Sequence, residues 1–182
     1  MKRTTPAAAH LSPLPIPGRD HIQGAPDAPL KLVEYGDYEC PYCGQAYPVV
    51  KAVQKRLGKR LCFVFRNFPL VNSHPHAERA AETAEAAGAQ GRFWEMHDLL
   101  YENQQALDDE DLARYAGALG LDVQRWMNEI RSGTHTPRVR EDFLSGARNG
   151  VNGTPTFFIN GVRYDGAADV EDLVAALSSQ TA

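Results

Sequence analysis

The feature that most constrains the fold of this chain is a pair of cysteines, Cys40 and Cys43, at the point where a strand pattern gives way to a helical one. Residues 30–35 are apolar and rich in β-forming types, which predicts a short buried strand. From Pro41 onwards, apolar residues recur at helical spacing. A second apolar run at residues 60–66 predicts another strand, so the pair belongs to a β-α-β unit with parallel strands.

The stretch that follows is predicted to be helical throughout. Between residues 73 and 149, apolar stripes of alanine and aromatic residues repeat at helical spacing. Asp122 is predicted to cap the N-terminus of one of these helices, and Gly133 to end it. Strand pattern returns at residues 156–159, where an Asn-Gly pair predicts a tight hairpin before a final helix. The predicted order is therefore β-α-β, a helical block, a β-hairpin and a helix.

Composition and charge narrow the class of protein. The 182 residues are 43% hydrophobic and carry a formal net charge of -4, which fits an ordinary globular protein. Basic residues are scattered among acidic ones, so we predict no nucleic-acid partner and no binding to an anionic membrane surface. Three cysteines are too few for a secreted disulfide scaffold. No stretch has the length of a membrane-spanning helix, so we predict no membrane segment in this chain.

The first 20 residues are rich in proline and alanine and have no periodicity. We interpret residues 1–20 as a flexible arm. Prolines interrupt this arm, and it contains no apolar run that could serve as the core of a signal peptide. We therefore predict a cytoplasmic location. The alternative is a periplasmic or other extracytoplasmic location, if a leader has been removed.

Two cysteines at C-x-x-C spacing in the first turn of a helix can form a small, redox-active disulfide. The free N–H groups and positive dipole end of the helix favour a thiolate at Cys40, which we expect to be the more exposed, attacking sulfur. Cys43, one turn into the helix, would then resolve the mixed disulfide. One alternative is a zinc half-site, for which His74 and His76 are the histidines near in sequence, and another is a structural disulfide. Cys62 lies within an apolar run and is predicted to be an inert core thiol.

Three segments carry a resemblance to a known family. They are residues 33–43, which include Cys-Pro-Tyr-Cys, residues 93–97 (Phe-Trp-Glu-Met-His) and residues 150–158, which include a Thr-Pro pair before a strand. These segments resemble the DsbA-like thiol:disulfide oxidoreductases of the thioredoxin superfamily. The chain looks most similar to the soluble bacterial branch, some members of which are fused to sodium/proton antiporters. The resemblance extends from about residue 21 to the end.

The resemblance implies an α/β, thioredoxin-like fold with an inserted all-helical domain between the second strand and the cis-Pro strand. Residues 21–72 and 150–182 would form the thioredoxin-like domain, and residues 73–149 the helical domain. The cysteines are separated from the Thr-Pro pair by far more residues than bare thioredoxin has, and the predicted helices account for the difference.

The same resemblance implies roles for residues around the cysteines. Pro155 would form a cis peptide bond beside the pair. Glu34 would be a buried acid that exchanges a proton with Cys43, and the alternative for Glu34 is a solvent-facing residue of the strand. Pro48 matches a proline that kinks the active-site helix of the superfamily. The residues expected to contact substrate are Pro41, Tyr42, Gly153 and Thr154.

The implied function is exchange of disulfides with protein or small thiols, without a cofactor or metal, and with a recycling partner such as thioredoxin or glutathione. The central Pro-Tyr pair is also that of glutaredoxins, whereas the periplasmic oxidase carries Pro-His, so oxidase, isomerase and reductase directions all stay open. Two alternatives are a non-catalytic peptide-binding or chaperone module and a glutathione-linked transferase of the same superfamily. Transferases of that type carry a serine in place of the cysteine pair, which argues against the second alternative.

Overall fold

The computed structural model describes residues 10–12 and 14–179. Its elements follow the predicted order, with one further short strand before the first predicted one. They are β1 (His21–Gln23), β2 (Leu30–Gly36), α1 (Pro41–Leu57), β3 (Leu61–Asn67), α2 (Ala77–Gly88), α3 (Phe93–Glu102), α4 (Asp109–Ala118), α5 (Val123–Ser132), α6 (Thr136–Arg148), β4 (Thr156–Ile159), β5 (Val162–Tyr164) and α7 (Val170–Ser179).

Within the described residues, the strands form one five-stranded sheet in the order β1-β3-β2-β4-β5. β2 and β3 are parallel, as the β-α-β pattern predicts, and the other pairs are antiparallel. Alternate residues of β2 point to opposite faces. Leu32 lies in the core shared with Val53 of α1 and Leu173 of α7, whereas Val33 lies in a second cluster with Phe158. The central strand is therefore buried on both faces, and its carboxyl end leads directly to the cysteine pair.

The helical block α2–α6 lies between β3 and β4. The buried face of α2 consists mostly of alanine, and these small side chains let the neighbouring helices approach closely. One hydrophobic cluster runs from Leu32 of β2 to Trp126 of α5, so the block and the sheet share a core. The domain boundaries given above stay a prediction. None of the described helices is both long and apolar enough to cross a membrane.

The interpretation of residues 1–20 as a flexible arm stays a prediction, and the part of the arm that the structure describes makes specific contacts with the rest of the chain. Leu11 is buried, and its N–H donates to the carbonyl oxygen of Gly161 across 2.7 Å. An extended, proline-rich segment can bury a single side chain without any alternation, so its sequence gives no periodic signal. Residues 1–9 and 13 of the arm lie outside the described residues.

A buried ion pair anchors the end of the same segment. Both carboxylate oxygens of Asp20 accept hydrogen bonds from the Arg66 guanidinium, at 3.0 and 2.9 Å, and neither side chain is exposed. Arg66 also donates to the hydroxyl of Tyr35 on β2. β1 begins at the next residue and pairs with β3, which fixes the chain at one edge of the sheet.

We expect Asp20→Asn to lower the free energy of unfolding by about 3 kcal/mol, because it leaves the Arg66 charge buried without its carboxylate. Urea denaturation of the two proteins measures this difference. Asp27→Asn is the matched control, since Asp27 is exposed, and it should change the free energy by less than about 0.5 kcal/mol. Equal effects of the two substitutions would show that the pair does not hold the N-terminal segment.

Candidate active site

The reactive pair lies at the start of α1, directly after the central strand. Cys40 is the N-cap residue, with φ -71° and ψ 121°, and Pro41 is the first helical residue. The Cys40 carbonyl accepts the first helical hydrogen bond, from the Gly44 N–H at 3.1 Å. The two cysteines are not joined in a disulfide, so the structure represents the reduced pair. Cys40 is expected to be the more exposed of the two, but the difference is small, since Cys40 is 3% and Cys43 0% exposed. Their surroundings distinguish the two sulfurs more clearly.

Hydrogen bonds stabilise a thiolate at Cys40. The Cys43 side chain contributes most, and burial opposes it. The Thr154 side chain and the backbone N–H groups of Cys43 and Tyr42 contribute further, and together these groups lower the pKa of Cys40 to about 5. The free N–H groups of the first helical turn are the physical source of the backbone contribution. When Cys40 is protonated, its Sγ donates to the Thr154 carbonyl oxygen at 3.4 Å. At neutral pH, Cys40 is therefore almost entirely a thiolate.

Cys43 has the opposite tendency. Burial, its hydrogen bond to Cys40 and the nearby negative charges of Glu34 and Cys40 raise the pKa of Cys43 well above its usual value. Glu34 itself is 2% exposed, and its Oε1 has no hydrogen-bond partner. Burial and the negative charge of Cys40 raise the pKa of Glu34 to about 8. The acid that the sequence analysis singles out is thus buried and electrostatically coupled to both sulfurs.

The Thr-Pro pair lies beside the cysteines because β4 is the antiparallel neighbour of β2. Thr156 pairs with Tyr35, which brings the preceding two residues to the end of β2. The Thr154–Pro155 peptide bond is cis. Thr156 Oγ1 donates to the Gly153 carbonyl at 2.7 Å and so braces the turn that carries the pair. This arrangement places a backbone edge next to Cys40.

Tyr42 is the exposed aromatic residue of the motif. Its side chain is 70% exposed, and Pro41 beside it is exposed as well. Thr154 and Pro155, across from the motif, are half-buried. The residues predicted to contact substrate therefore border the buried sulfurs with an apolar, accessible rim.

The sequence analysis missed a set of carboxylate–histidine contacts next to the motif. Asp37 is buried and accepts hydrogen bonds from the Leu70 N–H at 2.8 Å and from His74 Nδ1 at 2.7 Å. Burial opposes protonation of His74, but the hydrogen bond and charge of Asp37 raise the pKa of that imidazole. Glu39 Oε1 forms a hydrogen bond with His76 Nδ1 at 2.9 Å. Asp37 and Glu39 lie directly after the buried strand β2, and this position is the one feature of the sequence that indicates a role for them.

Comparisons with known proteins agree with this geometry. The profile of a family described as thioredoxin matches residues 17–179. The sodium/proton antiporter NhaA 1 of Salinispora arenicola is 47% identical over 163 residues, which is 90% of this chain and 25% of the antiporter. The chain thus spans about a quarter of the length of the curated relatives it matches.

Solved structures give the fold. Oxidised BdbD from Bacillus subtilis has a TM-score of 0.81 and 21% identity, with 95% of this chain and 97% of that chain covered. Alpha-DsbA1 from Wolbachia pipientis has a TM-score of 0.76 and 20% identity, with 92% and 94% covered. The predicted fold class is confirmed: a thioredoxin-like fold with a helical insertion, as in DsbA-like proteins.

In the reduced protein, we expect the absorbance of the Cys40 thiolate to titrate with a midpoint near pH 5, because the first turn of α1 and Cys43 stabilise the charge. Ultraviolet absorbance against pH measures the midpoint, and Cys40→Ser should abolish this transition.

Cys62 is fully buried, and burial raises the pKa of its thiol, so it should stay unlabelled by iodoacetamide while Cys40 reacts. A midpoint near that of a free thiol, or fast labelling of Cys62, would contradict these assignments.

Proposed function

Because the chain belongs to the thioredoxin family, we propose that it is a thiol–disulfide oxidoreductase, which exchanges disulfides with protein thiols through Cys40 and Cys43. The observation that carries this proposal is the contrast between the two sulfurs. The pKa of Cys40 is lowered to about 5, whereas that of Cys43 is raised well above its usual value. Cys40 is therefore a nucleophilic thiolate at neutral pH, whereas Cys43 keeps its proton until it resolves the mixed disulfide.

The first step is attack by the Cys40 thiolate on one sulfur of a substrate disulfide. A bond forms between Cys40 Sγ and that sulfur, the substrate S–S bond breaks, and the other substrate sulfur leaves as a thiolate. Cys43 then loses its proton and attacks Cys40 Sγ, which closes the Cys40–Cys43 disulfide and releases the second substrate thiol. Two electrons have passed from the protein to the substrate. The reverse sequence oxidises a substrate dithiol.

Glu34 is the proposed base for the second step. One of the two causes of its raised pKa is the negative charge of Cys40, and this charge disappears when the mixed disulfide forms. The carboxyl group then ionises more readily, at the stage where Cys43 must give up a proton. A base whose pKa lies near the working pH combines a populated carboxylate with adequate basicity.

The proposed docking site for an extended substrate is the rim formed by the Cys motif and the cis-Pro turn. The backbone of Thr154 lies within 3.4 Å of Cys40 Sγ, so a chain hydrogen-bonded along that edge would bring its sulfur to the nucleophile. Tyr42 offers an exposed aromatic surface on the other side. Gly153 has open space where a side chain would be, which leaves room for the substrate backbone.

The low pKa of Cys40 also bears on direction. A stabilised thiolate lowers the free energy of the reduced protein, which makes the disulfide form a stronger oxidant. We therefore favour the direction in which the oxidised protein accepts electrons from substrate thiols. The recycling partner, and the cytoplasmic location that the sequence analysis predicts, stay predictions.

We expect Glu34→Gln to slow resolution by about tenfold or more near neutral pH and to leave attack unchanged. In the natural protein, the resolution rate should rise as Glu34 ionises, with an inflection at or below its pKa of about 8. In the variant, the rate should rise only at higher pH, as Cys43 itself ionises. A chromogenic aromatic disulfide measures both steps, because attack and resolution each release one coloured thiolate.

Glu39→Gln is the control for loss of a carboxylate near the motif. Glu39 forms a hydrogen bond with His76, so Glu39→Gln should have little effect on the resolution step, which releases the second coloured thiolate. An equal loss of resolution rate in the two variants would mean that Glu34 acts only through overall charge.

The division of labour predicts that Cys43→Ser accumulates mixed disulfides with cellular proteins, seen as bands that disappear on reduction. Attack is intact in this variant, but release is blocked. Cys40→Ser should trap few or none, because its remaining thiol is buried and holds its proton. Both variants should lose turnover by roughly a hundredfold or more.

A non-catalytic binding module or a structural thiol pair gives another result. Neither variant would then trap partners, and if the pair were structural, both substitutions would destabilise the fold alike. Equal trapping by the two variants would instead refute the assignment of roles to the individual sulfurs.

A further inference from the structure

One side chain of the helical block, that of Gln104, donates hydrogen bonds to the backbone carbonyl groups on either side of the Glu39–Cys40 peptide bond. Gln104 lies in the loop between α3 and α4, and its Nε2 donates to the Tyr38 carbonyl at 2.8 Å and to the Cys40 carbonyl at 2.9 Å. A primary amide has two N–H donors, so it can satisfy both oxygens at once. The contact joins residues more than 60 positions apart, since Tyr38 and Gln104 are separated by 66.

The loop that carries Gln104 is itself held in place. Asn103 donates through its side chain to the Leu99 carbonyl at 2.8 Å, which ends α3 with a hydrogen bond. The Tyr115 hydroxyl, on α4, donates to the Ala106 carbonyl at 2.8 Å. The amide of Gln104 is therefore presented by a fixed loop, and its position is not that of a freely rotating surface side chain.

Gly44 shows that α1 is shaped to accept this amide. A Cβ atom built on Gly44 would lie 2.0 Å from Gln104 Oε1 and 2.7 Å from its Cδ. Glycine in a helix costs stability relative to alanine, because it has no side chain and more backbone freedom to lose. At this position the missing side chain leaves the space that the Gln104 amide occupies.

We propose that Gln104 is a positioning residue that holds the backbone of Cys40 in the geometry that stabilises its thiolate. This role rests on the proposed function. The backbone N–H groups that lower the pKa of Cys40 are those of Tyr42 and Cys43, two and three residues further along the first turn of α1. Their direction depends on how the Cys40 carbonyl, which starts that turn, is held. Two hydrogen bonds from Gln104 fix the carbonyls of Tyr38 and Cys40, and with them the start of α1. The helical block thereby controls the reactivity of a cysteine at the start of α1, outside the block.

The test compares the pH dependence of Cys40 alkylation by iodoacetamide in reduced protein. Gln104→Met keeps the length of the side chain but removes both donors, and it should weaken the acidity of Cys40 at least threefold, a rise of half a pKa unit or more. Gly44→Ala should produce a similar rise, because the new methyl group displaces the amide. Gln105→Ala is the matched control, since its exposed side chain is next to Gln104, and its profile should overlay that of the natural protein.

The double variant Gly44→Ala/Gln104→Ala gives the sharpest readout. With the amide gone, the methyl group at position 44 has nothing to displace, so the pKa of Cys40 should be no higher than in Gln104→Ala alone. The melting temperature should exceed that of Gln104→Ala, because alanine is the better helix former. Additive pKa rises, or an unchanged Cys40 profile in Gln104→Met, would overturn the proposal.

These measurements separate this inference from the proposed function, because alkylation requires no substrate. If the natural protein failed to exchange disulfides but the variants shifted the Cys40 profile, the positioning role would hold and the function would fail. If exchange occurred and Gln104→Met left the profile unchanged, the positioning role alone would fail.

Discussion

The site depends on the antiparallel pairing of β2 with β4. Cys40 and Thr154 are 114 positions apart, yet the Sγ of one lies 3.4 Å from the carbonyl of the other. The contact exists because Tyr35 and Thr156 are partners in the ladder, so the end of one strand and the beginning of the other meet at one edge. The entropic cost of closing a loop rises only slowly with its length. Six α-helices of the described chain, α1 to α6, can therefore lie between the two strands without disturbing the site.

Burial then determines how charge is distributed within that site. A region shielded from water cannot hold several unpaired negative charges, so the ionisable groups must lose their protons in sequence. The surroundings determine the order in which the groups lose their protons: the pKa of Cys40 is about 5, that of Glu34 is about 8, and that of Cys43 is raised well above its usual value. Each group's ionisation discourages the next. Covalent chemistry at Cys40 removes one charge and thereby changes the acidity of the other two.

The sequence predicts features whose signal is local. Asp122 accepts the N–H of Arg125 at the start of α5, and Gly133 ends that helix in a left-handed conformation, both as expected from capping rules. The cysteine motif and the Thr-Pro turn are also recognisable from neighbouring residues alone. Helix ends and hairpins leave such signals because their hydrogen bonds join residues a few positions apart.

Polar contacts between side chains that lie far apart in the sequence are absent from the sequence predictions. The contacts of Asp20 with Arg66, and of Asp37 with His74, join segments that share no periodic pattern. The same holds for Gln104, which in sequence is one of two adjacent glutamines in a polar loop. A polar side chain can be exposed or can satisfy a buried backbone group, and only the three-dimensional structure distinguishes the two.

The ends of the sheet bear on the proposed docking of extended substrate chains. Its two outer strands, β1 and β5, are three residues each, and His10 of the N-terminal segment forms a bridge to Val162 on β5. Long open edges recruit other strands and promote aggregation. Because these edges are short and partly covered, an unfolded polypeptide finds little unpaired backbone along the sheet. Under the proposed function, strand-like pairing would take place at the turn beside Cys40, where it would lead to a reversible disulfide bond.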